Sequence, residues 1–163
     1  MDQLWSPWRY RYVSQSIPDE QCLFCRKAAS KDDKADHILY RGEHNYVLLN
    51  AFPYTSGHLM IAPYAHVATL EESAPEPLAE LIRLVQHAES ALRAVYHPGG
   101  INLGMNIGKA AGAGVAGHIH MHVLPRWEGD VNFMTVVGET RVLPEDLDGT
   151  YQKLLPKFAV PAG

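Results

Sequence analysis

Three histidines alternate with apolar residues in the segment from Gly117 to Leu124, which reads G-H-I-H-M-H-V-L. Successive side chains on a β-strand point to opposite faces, so this spacing predicts that His118, His120 and His122 share one face of a strand. A helix would turn His120 away from the other two. A lone histidine is most often structural, whereas a row of three imidazoles on one strand face indicates chemistry.

Two kinds of chemistry fit this row of imidazoles. Three histidines could hold a catalytic metal ion that keeps an open position for water. Alternatively, one neutral ring nitrogen attacks phosphorus as a nucleophile, while the neighbouring histidines hold its tautomer and donate to phosphate oxygens. The residues around the row decide between these two readings.

A glycine-rich stretch precedes the histidines, from Asn106 to Gly117. Its lysine, Lys109, stands before the later glycines rather than after them, so the stretch is not a P-loop. By itself such a sequence is typical of a loop between two strands. Next to the histidines, its bare backbone N–H groups and Lys109 favour phosphate binding.

The chain has two cysteines, Cys22 and Cys25, in a C-x-x-C arrangement. Two cysteines cannot form a disulfide framework, and together with the lack of an apolar signal segment in Met1 to Tyr12 they predict a reduced, cytoplasmic location. The spacing alone is compatible with a zinc-ligand pair, a redox pair or a plain turn.

Length and charge limit the class of protein. With 163 residues we expect one domain over 1–163, with an arm over 1–35, a core over 36–139 and an irregular tail over 140–163. The net charge of −4 disfavours binding to a nucleic-acid duplex or to an anionic membrane. No stretch is long and apolar enough to cross a bilayer.

The elements that position the histidines follow from hydrophobic spacing. Short apolar runs predict five strands, over His37–Arg41, Tyr46–Asn50, Leu59–Ala62, Ile101–Ile107 and His118–Leu124. Between the third and fourth, apolar residues at helical spacing predict one long helix over Pro77–Tyr96, with Ile82 on its apolar side and Glu80 on its polar side. The expected fold is α+β, an antiparallel sheet of about five strands with this helix and a short N-terminal helical segment.

These residues resemble a known family. The motif from His118 to Leu124, followed by Pro125-Arg126, is similar to that of the histidine triad family of nucleotide hydrolases and transferases, and the segment from Leu49 to His66 is similar to the family's other signature. The opening Leu4 to Arg9 looks most like the branch that contains bacterial diadenosine tetraphosphate phosphorylases. The resemblance runs from Trp5 to about Met134.

The resemblance implies a role for each matching residue. His120 would be the nucleophile that attacks an α-phosphate and carries the nucleotidyl group, while His122 and His58 would contact phosphate oxygens. Asn50 falls where many members have an aspartate that binds ribose hydroxyls. The other substrate-binding residues expected beside the phosphates are Asn106, Lys109, Gly112 and Gly114.

The resemblance also implies a metal and an oligomer. The family's zinc-bearing members use a histidine like His66 and the first histidine of the triad, which predicts structural zinc on Cys22, Cys25, His66 and His118. Family members are commonly homodimers. We therefore expect a cytoplasmic enzyme that cleaves a nucleotide, foremost a dinucleoside polyphosphate, with water or phosphate as acceptor. The alternatives are a hydrolase with a catalytic metal on the three triad histidines and a nucleotide-binding module with negligible turnover.

Overall fold

The computed structural model describes residues 22–131 and 143–159. The segments Leu4 to Arg9 and 160–163 therefore lie outside the described residues, as does 132–142. The elements are α1 (Leu23–Ala29), β1 (Ile38–Arg41), β2 (Asn45–Leu49), β3 (Leu59–Pro63), α2 (Pro75–Tyr96), β4 (Gly100–Gly104), a 3₁₀ turn (Lys109–Ala111), β5 (Met121–Arg126) and α3 (Leu147–Phe158).

The strands form one five-stranded sheet in the order β1-β2-β3-β5-β4, and all neighbouring pairs are antiparallel. This confirms the predicted α+β fold. Helices α2 and α3 pack an apolar core against one face of the sheet. On the other face, Phe24 of α1 packs with Tyr46, Leu48 and Met60. Within the described ranges, no helix combines the length and apolar character that a membrane span needs.

The long helix α2 is confirmed, but two of its residues differ from the prediction. Glu80, expected on the polar side, is buried, and its carboxylate accepts hydrogen bonds from the backbone N–H groups of Glu43, His44 and Asn45 at 2.7 to 2.8 Å. It thereby fixes the turn between β1 and β2. Ile82, expected on the apolar side, is 60% exposed.

Strand β5 begins at Met121 rather than at His118, and β4 ends at Gly104 rather than at Ile107. The ladder between β3 and β5 pairs Leu59, Met60 and Ile61 with Val123, His122 and Met121. Two residues further along β3 stands Pro63, which has no N–H to continue the ladder. The N–H of Ile119 instead donates to the carbonyl of Val67 at 2.8 Å. The first two histidines thus lie just before the strand.

The predicted irregular tail is wrong, because residues Leu147–Phe158 form helix α3. Asp146 caps its N-terminus by accepting from the N–H of Gly149 at 2.7 Å. Tyr151, Leu154 and Phe158 recur at helical spacing and are buried against β1 and α2. Pro156 lies in the last turn, where the helix is already ending. The core of the domain therefore extends beyond residue 139.

Candidate active site and candidate metal centre

The sheet brings the catalytic candidates to the face that carries α1. His122 lies in the middle of the sheet, opposite Met60 of β3 and Gly104 of β4. His58 directly precedes β3 and is 1% exposed. His120 lies just before β5 and is also buried. We call His58, His120 and His122 the open histidine cluster, since a cavity described below is lined by one of them, His122.

A backbone carbonyl oxygen holds the ring of His120. Its Nδ1 lies 2.9 Å from the carbonyl oxygen of His118, an acceptor, so Nδ1 carries the proton and donates. Burial lowers the pKa of His120, which keeps the ring neutral at neutral pH. Because the proton is on Nδ1, the lone pair of Nε2 is available as a nucleophile. Phe24 packs against this ring at a centroid distance of 4.6 Å.

A hydrogen bond links the rings of His122 and His58. Nε2 of His58 lies 2.9 Å from Nδ1 of His122. Burial, and then the nearby His120, lower the pKa of His122 to about 4. His122 is therefore neutral at neutral pH, and its hydrogen bonding depends on which ring nitrogen holds the proton.

The loop before β3 holds His58 from the other side. The backbone N–H of Tyr54 donates to Nδ1 of His58 at 3.1 Å, and the side-chain amide of Asn50 lies 3.4 Å from the same atom. The amide oxygen of Asn50 accepts from the N–H of Phe52 at 2.9 Å. Asn50 itself is 8% exposed. The residue expected to bind ribose is thus turned toward a histidine.

A cavity of about 930 Å³ opens beside His122. Asn106, the amide predicted to lie beside the phosphates, also lines it. Lys109 and Gly114 are exposed and Gly112 half-buried, and none of these three is among its lining residues. The polar, charged and aromatic side chains that also line it include Tyr54, Asn102, Arg126 and Trp127.

Sequence reasoning gave no role to two residues that shape this region. Tyr54 acts on His58 through its backbone N–H, which leaves no mark in the residue type. Arg126 lines the cavity and donates to both carboxylate oxygens of Asp130 and to the side-chain oxygen of Asn102. Its four-residue spacing to Asp130 on a turn was a signal that could have found the ion pair.

The structure brings Cys22, Cys25, His66 and His118 together, with one ligand atom from each within 4.8 Å of the others. We call these four residues the Cys2His2 cluster. Nδ1 of His118 lies 3.4 Å from Sγ of Cys22, and Nδ1 of His66 lies 3.3 Å from Sγ of Cys25. Tetrahedral zinc would hold sulfur and nitrogen ligands about 3.6 Å apart, so the observed spacing fits a four-ligand metal site.

Local structure explains how these four ligand atoms converge. Cys22 stands at the N-cap of α1 and Cys25 in its first turn. The other ring nitrogen of His118, Nε2, donates to the carbonyl of Pro63 at 2.8 Å, which directs Nδ1 toward the cysteines. The cluster contains His118 but neither His120 nor His122. This grouping weighs against a catalytic metal held by all three triad histidines.

Comparison with known proteins identifies the family. The model of the HIT domain matches residues 31–129, which is more than half of the chain. The chain belongs to the histidine triad (HIT) family.

Similar proteins of the HIT family include a named relative and two proteins of known structure. An AP-4-A phosphorylase of Mycobacterium tuberculosis is 34% identical over 98% of this chain and 85% of its own length. A Zn-bound histidine triad family protein from Mycobacterium smegmatis superposes with a TM-score of 0.70 at 30% identity, over 86% of this chain and 94% of that one. A HIT family protein from Bacillus subtilis gives a TM-score of 0.60 at 31% identity, over 66% and 74%.

Proposed function

We propose that this HIT protein is a nucleotidyltransferase that cleaves dinucleoside polyphosphates through a covalent intermediate on His120. The observation that carries the proposal is the bond from Nδ1 of His120 to the carbonyl of His118, which leaves the Nε2 lone pair as a nucleophile in a buried, neutral ring. An imidazole in this state needs no separate base to become reactive.

The first step transfers the nucleotidyl group to the protein. Nε2 of His120 attacks the α-phosphorus, a P–N bond forms, and the bond from that phosphorus to the bridging oxygen breaks. The remaining nucleoside polyphosphate leaves with the electron pair of the broken bond. His122 and Asn106 lie beside the cavity where hydrogen-bond donors would stabilise charge on the phosphate oxygens.

In the second step an acceptor breaks the P–N bond and regenerates His120. With inorganic phosphate, an adenylyl group leaves as ADP, and diadenosine tetraphosphate gives ADP and ATP overall. With water, the same substrate gives AMP and ATP. The similarity to an AP-4-A phosphorylase along nearly the whole chain favours phosphate as the acceptor.

The size of the cavity favours a substrate with two nucleosides. A volume of about 930 Å³ is at the upper end of the range for small-molecule sites, and it extends from His122 to Arg126 and Trp127. A single nucleoside monophosphate would leave much of this space to water. The cavity therefore supports a leaving group that is itself a nucleotide.

The Cys2His2 cluster would hold zinc as a structural ion. Zinc there would tie α1 to the segment that precedes β5, and it would have no open position for substrate, because four protein ligands complete a tetrahedral shell. The Zn-bound relative from Mycobacterium smegmatis supports this choice of metal.

The cytoplasmic location expected from the sequence stays a prediction. A homodimer also stays a prediction; β4 is an edge strand with Leu103 about half exposed, and light scattering would measure the mass.

The function is tested by product analysis with diadenosine tetraphosphate as the only nucleotide. We expect ADP and ATP when inorganic phosphate is present, and AMP and ATP at a lower rate when it is absent. The matched variant His120→Asn keeps a neutral side chain of similar polarity and should yield neither set of products. Unchanged turnover in that variant would contradict the proposal. So would a wild type that stays folded but loses turnover on chelation and regains it when metal is added back.

A further inference from the structure

One wall of the cavity is supplied by helix α3 and the residues just before it. Glu145 and Lys153 line the cavity there, whereas His122 and Asn106 line it beside the open histidine cluster. The family model matches residues 31–129, so this wall stands outside the part of the chain that the model covers. A wall from outside the shared domain is a place where this chain can differ from other HIT proteins in specificity.

Two hydroxyl groups anchor the carboxylate of Glu145. Tyr96 donates to its Oε2 at 2.6 Å and Thr150 donates to the same atom at 3.1 Å. Thr150 is buried, and Tyr96 packs so closely on Gly57 that a Cβ added there would lie 2.9 Å from its ring. Burial by itself raises the pKa of Glu145, but hydrogen bonds from Lys153, Tyr96 and Thr150 outweigh this and lower it. The carboxylate is therefore charged at neutral pH.

The charged Glu145 orients the ammonium group of Lys153. Nζ of Lys153 forms an ion pair with Oε1 of Glu145, the oxygen that neither hydroxyl uses. The side chain of Lys153 is 58% exposed and that of Glu145 is 12% exposed. The ammonium is thus the partner that a ligand in the cavity can reach. It has three N–H donors and gives one to the carboxylate, so it can also donate to an anion.

A second ion pair of the same kind lines the cavity. Arg126 donates to both carboxylate oxygens of Asp130 and to the side-chain oxygen of Asn102. Again the cation is more exposed than its carboxylate partner. These contacts, taken among the residues that the structure describes, use three of the five N–H groups of the guanidinium. Two cations, each held by a more buried carboxylate, therefore line one cavity.

Strand β5 sets the distance between these cations and the histidines. His122 and Arg126 are four residues apart on β5 and point to the same face, which separates their Cα atoms by about 13 Å. The ring of Trp127, the next residue, packs edge-on against that of Tyr96 at a centroid distance of 6.3 Å. Since Tyr96 also holds the partner of Lys153, that ion pair lies at the same end of the cavity as Arg126.

A nucleoside polyphosphate matches this arrangement of charge. With one phosphate beside His122, the phosphates that follow it would extend along β5 toward two cations. Ammonium and guanidinium groups both bind phosphate oxygens through charge-assisted hydrogen bonds. A leaving group without phosphate would make neither contact.

We propose that Lys153 is a specificity-determining residue that binds a phosphate group of the leaving nucleotide, beyond the bond that is cleaved. The inference rests on the proposed function, because it concerns the group that leaves when His120 attacks. The ammonium of Lys153 would favour a nucleoside polyphosphate over a smaller leaving group, since only the polyphosphate carries charge to this end of the cavity.

The first test compares two substrates in steady-state kinetics of the zinc-loaded full chain. Diadenosine tetraphosphate has a nucleotide as leaving group, whereas the p-nitrophenyl ester of AMP transfers the same adenylyl group from a leaving group without phosphate. Lys153→Met keeps the length of the side chain and removes its charge. It should lower kcat/KM for diadenosine tetraphosphate about tenfold, through KM, and change that for the ester by less than about twofold. Equal losses on both substrates, or no loss on the first, would overturn the proposal.

Two further variants separate a local contact from a change in net charge or in folding. Lys157→Met removes the same charge from the last turn of α3, at an exposed position that is not among the residues lining the cavity, and should behave as wild type. Lys153→Arg keeps a cation beside Glu145 and should restore most of the lost kcat/KM. A loss in either variant as large as that in Lys153→Met would contradict the proposal.

Inorganic phosphate, the acceptor, is a second anion that Lys153 could bind. In that case Lys153→Met would raise the KM for inorganic phosphate and leave the KM for diadenosine tetraphosphate unchanged. We expect the reverse: a higher KM for the dinucleotide and an unchanged KM for inorganic phosphate. The first pattern would overturn the proposal.

Binding measured without turnover separates this inference from the proposed function. In a His120→Asn background, calorimetric titration should show ATP bound about tenfold more weakly once Lys153→Met is added, with the affinity for AMP unchanged. If the wild type forms no adduct on His120 but this difference for ATP is seen, the proposed function fails and the phosphate site at Lys153 stands. If the adduct forms but ATP binds equally well to both proteins, the function stands and the role of Lys153 is wrong.

Discussion

The Cys2His2 cluster and the open histidine cluster draw on the same five-residue segment but use their histidines in opposite ways. Both ring nitrogens of His118 are engaged, Nδ1 toward the cysteines and Nε2 by the carbonyl of Pro63. His120, two residues later, uses Nδ1 for the carbonyl of His118 and keeps the lone pair of Nε2. For His118 and His120, the occupancy of the ring nitrogens, rather than the presence of histidine, separates a structural role from a chemical one.

The two clusters are in physical contact, so experiments can test whether their structural and chemical roles are separate. The carbonyl of His118 holds His120, and Phe24 of α1 packs against both rings, at 5.2 and 4.6 Å. Loss of metal should therefore disturb the position of His120 through α1 without removing the nucleophile.

The largest expected effect is on His120→Asn. Turnover should fall by at least about 10³-fold, since loss of a nucleophile removes the covalent route. Zinc content should match the wild type, because His120 is not part of the Cys2His2 cluster, and the melting temperature should fall by only a few degrees, because a smaller side chain replaces a buried ring. Kinetics, elemental analysis and thermal unfolding measure the three quantities. Loss of zinc in this variant would contradict the separation of roles between the two clusters.

Removal of a metal ligand should act on stability first. Cys25→Ser should lose most of the zinc and on the order of 3 kcal/mol of the free energy of unfolding, because the ion no longer ties α1 to the strand segment. The folded fraction should keep measurable turnover. Denaturant unfolding with zinc present measures the loss, and activity per folded molecule is the second readout. Complete inactivity of folded, zinc-free protein would assign the metal to catalysis.

Glu80→Gln provides a control outside both clusters. Burial by itself raises the pKa of Glu80, but hydrogen bonds from Asn45 and from the N–H groups of Glu43 and His44 outweigh this and lower it. Replacing the carboxylate should cost about 1–3 kcal/mol of stability, since a charge-assisted acceptor is lost. Zinc content and kcat of the folded enzyme should stay unchanged. A change in either one would show that the two clusters are not insulated from the rest of the sheet.

The last expected effect is on acid stability. The pKa of His122 is lowered to about 4 in the folded protein, from an ordinary value of 6.5. Between these values the unfolded chain binds a proton that the folded chain excludes, so the protein loses stability as the pH falls through this window. His122→Asn should make the loss shallower in unfolding experiments from neutral to acid pH. His97→Asn, at an exposed position, is the control for removal of one histidine. Equal slopes in all three proteins would contradict the assignment.

Short apolar runs were enough to predict the five-stranded sheet, and apolar residues at helical spacing were enough to predict the long helix α2. The start of β5 could not be predicted, because it depends on Pro63 of the paired strand, which cannot continue the ladder. Helix α3 was missed because its glycine and proline look like loop residues, while its three buried side chains are stabilised by contacts with β1 and α2.

Prediction of the candidate site from the sequence was limited in the same way, by contacts between residues that are far apart in the chain. The cysteine pair is visible in the sequence, but nothing in its spacing selects His66 and His118, and only the resemblance to the family supplied them. Glu80 was placed on the wrong side because its partners are 35 to 37 residues away in sequence. The direction of the amide of Asn50 depends on Phe52 and His58, and a residue type alone does not carry such information.

The central claim is that the open histidine cluster carries a covalent nucleotidyl group on His120 while the Cys2His2 cluster only holds the fold. Intact-protein mass spectrometry after a rapid alkaline quench with diadenosine tetraphosphate tests it most directly, because the P–N bond of the adduct is labile in acid. Wild type should show one adenylyl group, mapped to His120 by fragmentation, and His120→Asn should show none. Consumption of substrate by wild type with no adduct at any quench time would contradict the claim.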